Sequence, residues 1–234
     1  MKTYLLICST VLLTGTLPAA DSKEDIAAAA RKLGEQANYS WTTTVVVPEG
    51  SRVRPGPTEG KIEKDGYTHL KVSVGDNLTQ AVLKGDKAAV SNSDGGWQSL
   101  AELDSGEGAA RFKAMAVRNF KAPAAQAAEL ATGSKELVKD GEAWAGELTE
   151  ETAGTLLSFG RRPGASDGPT VSNAKGSVKF WLKDGALVKY EIKVSGKMSF
   201  NGNDRDVDRT MTTEIKDVGT TKLEVPEEAK KKLS

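Results

Sequence analysis

The chain has 234 residues, 38% of them apolar, which suffices for the core of one large or two small domains. Its 32 Lys and Arg residues balance 32 Asp and Glu residues, so the formal net charge is zero. This balance argues against a nucleic-acid binder, because such proteins neutralise phosphates with an excess of basic side chains. A single cysteine, Cys8, and a single histidine, His69, exclude most disulfide, thiol and metal chemistry.

The first 20 residues are predicted to form a secretory signal peptide. Lys2 supplies a positive charge, Tyr4–Leu13 supplies an apolar run, and small residues place the cleavage after Ala19 or Ala20. The run is about half of the roughly 20 residues that cross a bilayer, so we expect a cleaved leader rather than a membrane anchor. The protein is therefore predicted to be exported, to the periplasm or outside the cell.

Cys8 raises the alternative of a lipid-anchored protein, because it follows the apolar residues Leu5–Ile7. A lipid-modified cysteine begins the mature chain, however, whereas Cys8 lies inside the apolar run. With the leader removed, the mature chain has no cysteine, and its fold must depend on packing without disulfides. No break in composition divides residues 21–234, which we treat as one domain.

The mature chain begins with a predicted helix and continues as strands. Ser22 has the chemistry of a helix cap, and Ile26, Ala30 and Leu33 then share one side of a helix that ends near Asn38. From Tyr39 to Val47 the side chains alternate, which predicts a strand. Turn pairs such as Asp65-Gly66, Gly85-Asp86 and Asp94-Gly95 punctuate the next 50 residues, as is typical of an antiparallel meander.

Helical patterns interrupt the strands in the middle of the chain. One helix is predicted at Gly108–Phe120, with Phe112, Met115, Ala116 and either Asn119 or Phe120 on a common side. Another begins at Pro123, and two short strands meet at Asp140-Gly141. Thr149 is then predicted to cap a short helix that begins with Glu150 and Glu151, and a Gly- and Pro-rich loop follows at Gly160–Pro169.

The C-terminal third contains three long strands, each with an apolar and a charged face. Such alternation predicts a sheet that is exposed to water on one side only. Burial of each large apolar side chain on the other face contributes roughly 1.5–3 kcal/mol, so helices or a ligand must cover that face. Its apolar residues are Val178, Phe180, Leu182, Val188, Tyr190, Ile192, Val194, Met198, Phe200, Val207, Met211 and Ile215.

Catalytic and metal-binding patterns are weak in this sequence. His69 is the one available base, and on its strand it shares the polar side with Tyr67 and Lys71, as a solvated histidine does. Asp204, Asp206 and Asp208 lack the glycine and distal glutamate of a calcium loop, so we expect no metal ligand among them. We predict a non-enzymatic protein without a cofactor.

Two other groups of residues suggest carbohydrate chemistry. Glu150 and Glu151 resemble the paired carboxylates of glycosidases, although a charged helix start explains them as well. Tryptophan rings stack on sugars, yet most tryptophans fill space in cores. Trp97, which follows a Gly-rich turn, is the one that we expect to remain partly open. A carboxylate-based hydrolase is therefore the third hypothesis for the function.

The layout of the chain resembles the LolA/LolB and LppX-like superfamily of bacterial envelope proteins. The similarity lies in the export signal and first helix, the strand Tyr39–Thr44, the hairpin sequence Phe180–Gly185 and the ending Leu223–Pro226 before a last helix. This resemblance implies an α+β fold in which a curved antiparallel sheet forms an open half-barrel and helices cover its concave face. It also implies a cavity that holds the acyl chains of lipoproteins or other lipids.

Two hypotheses for the function precede the hydrolase. In the first, the protein is a carrier or sensor that binds a lipid or acyl chain in the half-barrel, through Trp41 and the apolar face of the last three strands. In the second, helices fill the cavity and the protein is an envelope scaffold, with Trp97 and Gly160–Pro169 as contacts for a protein partner.

Overall fold

The computed structural model describes residues 19–51, 55–74, 77–158, 170–200 and 203–233. The predicted leader lies outside these residues except for Ala19 and Ala20, which begin the first helix, and the predicted loop at Gly160–Pro169 lies outside them entirely. Within these ranges the helices are α1 (Ala19–Gly34), α2 (Leu100–Asp104), α3 (Ala109–Arg118), α4 (Pro123–Thr132), α5 (Glu150–Leu157) and α6 (Glu227–Lys232). The strands are β1 (Asn38–Val46), β2 (Pro55–Glu63), β3 (Thr68–Val74), β4 (Asn77–Lys84), β5 (Lys87–Ser91), β6 (Trp97–Ser99), β7 (Val138–Asp140), β8 (Ala143–Glu147), β9 (Thr170–Lys183), β10 (Ala186–Phe200) and β11 (Asn203–Lys216).

All these strands belong to one antiparallel sheet with the order β6-β5-β4-β3-β2-β1-β11-β10-β9-β8-β7. The predicted meander forms β1 to β6, and the pairing of β1 with β11 joins it to the long C-terminal strands. β6 and β7 are the two edges of the described sheet, so the sheet remains open. The predicted α+β fold, a curved antiparallel sheet with helices on its concave face, is confirmed.

Helices α1 and α4 pack against each other and cover the concave face through small side chains. Ala30 of α1 and Ala127 of α4 are fully buried in the main core. A Cβ placed on Gly34 would lie 3.5 Å from the Cβ of Ala124, which is ordinary van der Waals contact. Alanine and glycine at these positions let the two helix backbones approach closely, and the larger Ile26 and Leu130 fill the space beneath them.

The predicted helix cap at Ser22 is wrong. Ser22 lies inside α1, which begins at Ala19, and its buried hydroxyl donates to the carbonyl of Leu137 at 2.7 Å. The neighbouring Lys23 ammonium donates to the carbonyl of Ser134. Both side chains therefore hold α1 to the segment between α4 and β7, because serine within a helix bonds to whatever acceptor the packing presents.

The orientation of α3 differs from the side that its larger apolar residues indicated. Ala114 is buried, and Ala110 and Val117 pack against the core. Phe112 and Met115, in contrast, are 57% and 39% exposed. These residues, at i, i+4 and i+7, form the buried face of α3, which packs beside α2, so the larger side chains point outward.

The C-terminal segment crosses to the convex face of the sheet. Ala229 of α6 and Leu233, which follows the helix, pack on Val82 and Ala89, which point away from the main core. Trp97 is half-buried and packs against this second cluster, so it remains partly open as predicted. A contact with a protein partner at Trp97 stays a prediction.

Candidate functional site

Five of the predicted ligand-binding residues are sealed beneath the helices. They lie in the middle of β9 and β10, and none is more than 1% exposed. All five belong to the main core, which also contains side chains of α1, α4 and α5. The sealed residues are Val178, Phe180, Tyr190, Ile192 and Val194.

The other predicted residues of these strands are less buried. Leu182, Val207, Met211 and Ile215 are half-buried and pack against the main core, and Met198 is half-buried at the far end of β10. The side chain of Phe200 lies outside the described part of the chain. The prediction thus identifies a face whose centre is sealed and whose ends are partly open.

The prediction that Val188 lies on this face is wrong. A register shift lies between Leu187 and Lys189, and Leu187 pairs with Leu182. Leu187 is consequently buried in the core, whereas Val188 is half-buried and lies outside it. The bulge adds one residue to the strand. The strict alternation of inward and outward side chains, on which the prediction was based, therefore fails at Val188.

Trp41 is 3% exposed and lies on β1 at the centre of the concave face. Its indole stacks on Phe120, with ring centroids 6.1 Å apart, and contacts the ring of Tyr39 at 5.7 Å. Gly60 pairs with Trp41 on the adjacent strand and leaves room for the indole. The aromatic group therefore joins β1 and β2 to the segment that follows α3.

Several polar side chains on the concave face form hydrogen bonds with one another. The Tyr190 hydroxyl donates to Oε1 of Gln126 at 2.6 Å, which joins β10 to α4. The hydroxyls of Thr43 and Thr213 form a hydrogen bond of 2.8 Å across β1 and β11. Burial raises the pKa of Tyr190 above its usual value, and a hydrogen bond with Thr213 opposes the rise. These residues are neutral at pH 7 and hold the sheet to the helices.

Arg209 is a cation on the face that the sequence pattern marked as apolar. It pairs with Val194 across β10 and β11 and donates to the carbonyl of Leu156 in α5. Burial lowers the pKa of the Arg209 guanidinium, which remains charged because its ordinary pKa is so high. Because Val207, Met211 and Ile215 share this face, the sequence pattern did not indicate a charged residue among them. Arg209 links β11 to α5.

An apolar cleft opens between α1, α4 and the first two strands. It has a volume of about 320 Å³, at the lower end of the range in which small ligands bind. Its walls consist mainly of alanine side chains with Ile62 of β2, and Tyr39 of β1 also lines it. The lining residues are Ala30, Arg31, Gly34, Gln36, Tyr39, Ile62, Lys64, Ala122, Ala124, Ala125 and Ala128.

Tyr39 brings a polar atom into these apolar surroundings. The residue is 3% exposed, and its hydroxyl makes no hydrogen bond with any part of the chain that the structure describes. Burial raises the pKa of Tyr39 to about 12, and the nearby backbone of Ala124 partly offsets the rise without reaching hydrogen-bond geometry. The hydroxyl is therefore a protonated donor at pH 7 in a place where an unmade hydrogen bond is costly.

Most of this cleft was not predicted from the sequence. The alternation in β1 places Tyr39 on the same face as Trp41, but the walls come from α1 and α4, which are about 90 residues apart in the chain. The alanine-rich sequences of both helices are the signal that was available, because small side chains leave gaps where helices cross a sheet. Only the packing shows where such a gap remains.

A second groove, of about 720 Å³, lies on the convex face beneath residues 216–226. Its lining includes cations such as Lys71 and Lys222 together with the acids Glu59 and Glu224. His69, predicted to be solvated, is half-buried here, with 2.9 Å between its Nε2 and Oε1 of Gln80. Burial lowers the pKa of His69, the Gln80 hydrogen bond opposes this, and the charge of Lys71 adds to the lowering.

The candidates for metal and hydrolytic chemistry do not assemble into a site. Among the described residues, His, Cys, Asp and Glu side chains form no group of three that could hold a metal ion. Asp204, Asp206 and Asp208 are exposed along β11. Glu150 and Glu151 are the first residues of α5, which Thr149 caps as predicted by accepting from the Thr152 amide at 3.2 Å. In the residues of known placement, no helix is long and apolar enough to cross a membrane.

Several solved structures share the layout of this chain. LprF from Mycobacterium bovis has a TM-score of 0.49 and 9% identity, over 92% of this chain and 100% of that one. The lipoprotein LppX from Mycobacterium tuberculosis has a TM-score of 0.47 and 12% identity, over 88% and 97%. An outer membrane lipoprotein-sorting protein domain from Vibrio parahaemolyticus has a TM-score of 0.32 and 11% identity, over 92% and 99%.

The resemblance to LppX-like and lipoprotein-sorting proteins, noted from the sequence, thus recurs among the structures. No protein-family model and no curated protein sequence matches the chain. At these scores the likeness concerns the arrangement of strands and helices and identifies no ligand.

Proposed function

We propose that this chain is an exported, non-enzymatic protein that binds an apolar ligand, a single acyl chain, on the helix-covered side of its sheet. The observation that carries the proposal is the cleft of about 320 Å³ between α1, α4 and β1–β2. Its alanine and isoleucine walls offer no polar partner to most of a ligand. An acyl chain loses apolar surface to such walls and gains about 0.8 kcal/mol for each methylene that it buries.

The predicted ligand-binding residues take different roles in this proposal. The five sealed residues of β9 and β10 hold the sheet against the helices. Trp41 supports the inner wall, because its ring contacts Tyr39. Ile215 pairs with Trp41, and Met211 pairs with Val45 four residues further along the same strands. A longer ligand would follow this half-buried strip along β1 and β11.

The proposal includes export through the predicted leader. Cleavage after Ala19 or Ala20 would remove the apolar run and leave the segment that forms α1 at the start of the mature chain. N-terminal sequencing of the protein secreted or released from the periplasm tests this directly. We expect a mature chain that begins at Ala20 or Asp21, and an intact leader contradicts the export proposal.

Ligand binding is tested by native mass spectrometry of gently purified protein and by displacement of a fluorescent fatty acid. We expect bound lipid, and displacement with saturation at one equivalent. Ala125→Phe, in the wall of the cleft, should abolish displacement by filling the space. Ala116→Phe, on the exposed side of α3, is the matched control and should leave binding intact. A protein that carries no lipid and binds no probe contradicts the proposal.

The scaffold hypothesis has one specific observation in its favour. The centre of the concave face is filled by the chain's own helices, so that Phe180 and Val194 are 0% exposed. In that alternative the cleft is a packing defect and the surface binds a protein. Failure of both lipid experiments, together with a partner recovered from envelope extracts by the wild type and the Ala125→Phe variant alike, would favour it.

A further inference from the structure

The charges at the mouth of the cleft all have one sign. Arg31 of α1 and Lys64, which follows β2, are exposed and line it, and no acidic side chain does so among the residues of known placement. In the described ranges neither Arg31 nor Lys64 forms an ion pair. Two cations beside an apolar wall make a favourable environment for an anion that is attached to a hydrocarbon chain.

Tyr39 lines the same cleft as the two cations. Its hydroxyl is fully buried, so the residue offers the cleft its aromatic ring rather than a hydrogen-bond donor. A carboxylate has two oxygens that each accept hydrogen bonds, and it can therefore engage two cations together. Hydrogen bonds to a charged acceptor are about twice as strong as those to a neutral one.

We propose that the cleft selects a fatty acid, with the carboxylate held by Arg31 and Lys64 and the hydrocarbon chain against Tyr39 and the alanine walls. This inference rests on the proposed function and names its ligand class. The convex groove lacks such selectivity, since its lining mixes Lys61, Lys71 and Lys222 with Glu59 and Glu224. The sign of the charge thus distinguishes the two grooves.

The test compares three probes with the same ten-carbon chain, measured by isothermal titration calorimetry at pH 7.5 with delipidated protein. Decanoate carries a negative head group, 1-decanol a neutral one, and decylamine a positive one. We expect decanoate to bind at least tenfold more tightly than decanol, since one charge-assisted hydrogen bond alone supplies about that factor. We expect decylamine to bind most weakly.

Variants locate the selectivity. The double substitution Arg31→Gln and Lys64→Gln should reduce the preference for decanoate over decanol to less than threefold, with the affinity for decanol unchanged. The matched control, Lys32→Gln with Lys71→Gln, removes two exposed cations outside the cleft lining and should keep the full preference. Both pairs are surface substitutions that leave the core intact.

The outcomes separate this inference from the function on which it rests. Equal affinities for the three probes, or a preference that survives the Arg31 and Lys64 substitutions, overturn the fatty-acid inference and leave the apolar site standing. If none of the probes binds, the proposed function and the inference both fall. If the preference for decanoate also disappears in the Lys32→Gln and Lys71→Gln control, it depends on the overall charge of the protein. That result also overturns the inference.

Discussion

The indole of Trp41 occupies the space above Gly60 on the neighbouring strand. A Cβ added to Gly60 would lie 2.0 Å from Cζ2 of Trp41, far inside the closest distance that real atoms adopt. The two residues are direct cross-strand partners, so the absence of a side chain on β2 is what lets the ring of β1 lie flat enough to reach Phe120. Glycine in a strand interior commonly marks such a close approach.

Substitution of Gly60 therefore disturbs the aromatic group. Gly60→Ala should lower the free energy of unfolding by about 1–3 kcal/mol, because the ring or the strand has to move. Gly154→Ala in α5 is the control: its added Cβ meets only Ala174, at 3.9 Å, and alanine favours helix by about 1 kcal/mol. Urea denaturation measures both variants, and a neutral Gly60→Ala would contradict the described packing.

Tyr39→Phe should stabilise the ligand-free protein or leave it unchanged, although most substitutions of buried residues destabilise. The hydroxyl that it removes is buried without a partner among the described residues, and such a group costs about 1–3 kcal/mol. Thermal unfolding of delipidated protein measures the effect. A loss of more than about 1 kcal/mol, the worth of an ordinary hydrogen bond, would show that the hydroxyl is bonded after all.

Tyr190→Phe provides the comparison, since the Tyr190 hydroxyl has a defined partner in Gln126 at 2.6 Å. Its removal leaves the oxygen of the half-buried Gln126 without this donor. We expect a destabilisation of about 1–2 kcal/mol in the same unfolding experiment. The contrast between the two Tyr→Phe substitutions distinguishes a hydroxyl that is bonded within the fold from one that is buried without a partner among the described residues.

His69 should make the stability of the protein depend on pH between 7.5 and 5. Burial lowers the pKa of His69 in the folded state below the ordinary histidine value of about 6.5, so the unfolded chain binds more protons as the pH falls through that region. Stability is then highest above about pH 6.5 and declines toward pH 5. Because the chain has one histidine, His69→Gln should flatten the profile. A profile that is unchanged in this variant would contradict the burial of His69 beneath the C-terminal segment.

The orientation of α3 is tested by two phenylalanines close together in the chain. Phe112→Ser removes a side chain that is 57% exposed and should change the free energy of unfolding by less than about 0.5 kcal/mol. Phe120→Ala removes the ring that stacks on Trp41 and should cost about 2–4 kcal/mol. Chemical denaturation compares the two losses of stability. A larger loss for Phe112→Ser than for Phe120→Ala would contradict the described burial of these side chains.

The strands were predictable because their pattern is local. Alternation in β1 and in β9 to β11 gave the correct face for Trp41, Phe180 and Ile192, since successive strand residues point to opposite sides. The prediction failed where a bulge changes the count, as at Val188. It also treated the concave face as wholly apolar, whereas Arg209 lies on it and bonds to the carbonyl of Leu156.

The helices and the cleft depended on information that local patterns lack. The spacing of Phe112 and Met115 indicated one side of α3, but the buried side is the one that carries Ala114. The cleft combines Gly34, Tyr39, Ile62 and Ala125 from four separate elements. Its position follows from how α1 and α4 settle on the sheet, which no single segment specifies.

The central claim is that an acyl chain binds in the cleft between α1, α4 and β1–β2. Titration of ¹⁵N-labelled protein with decanoate, followed by amide chemical shifts, locates the site without any substitution. We predict the largest shifts at the amides of Ala30, Gly34, Ile62 and Ala125, which surround the cleft. Shifts centred on His69 and Lys71 in the convex groove, or none at saturating decanoate, would contradict it.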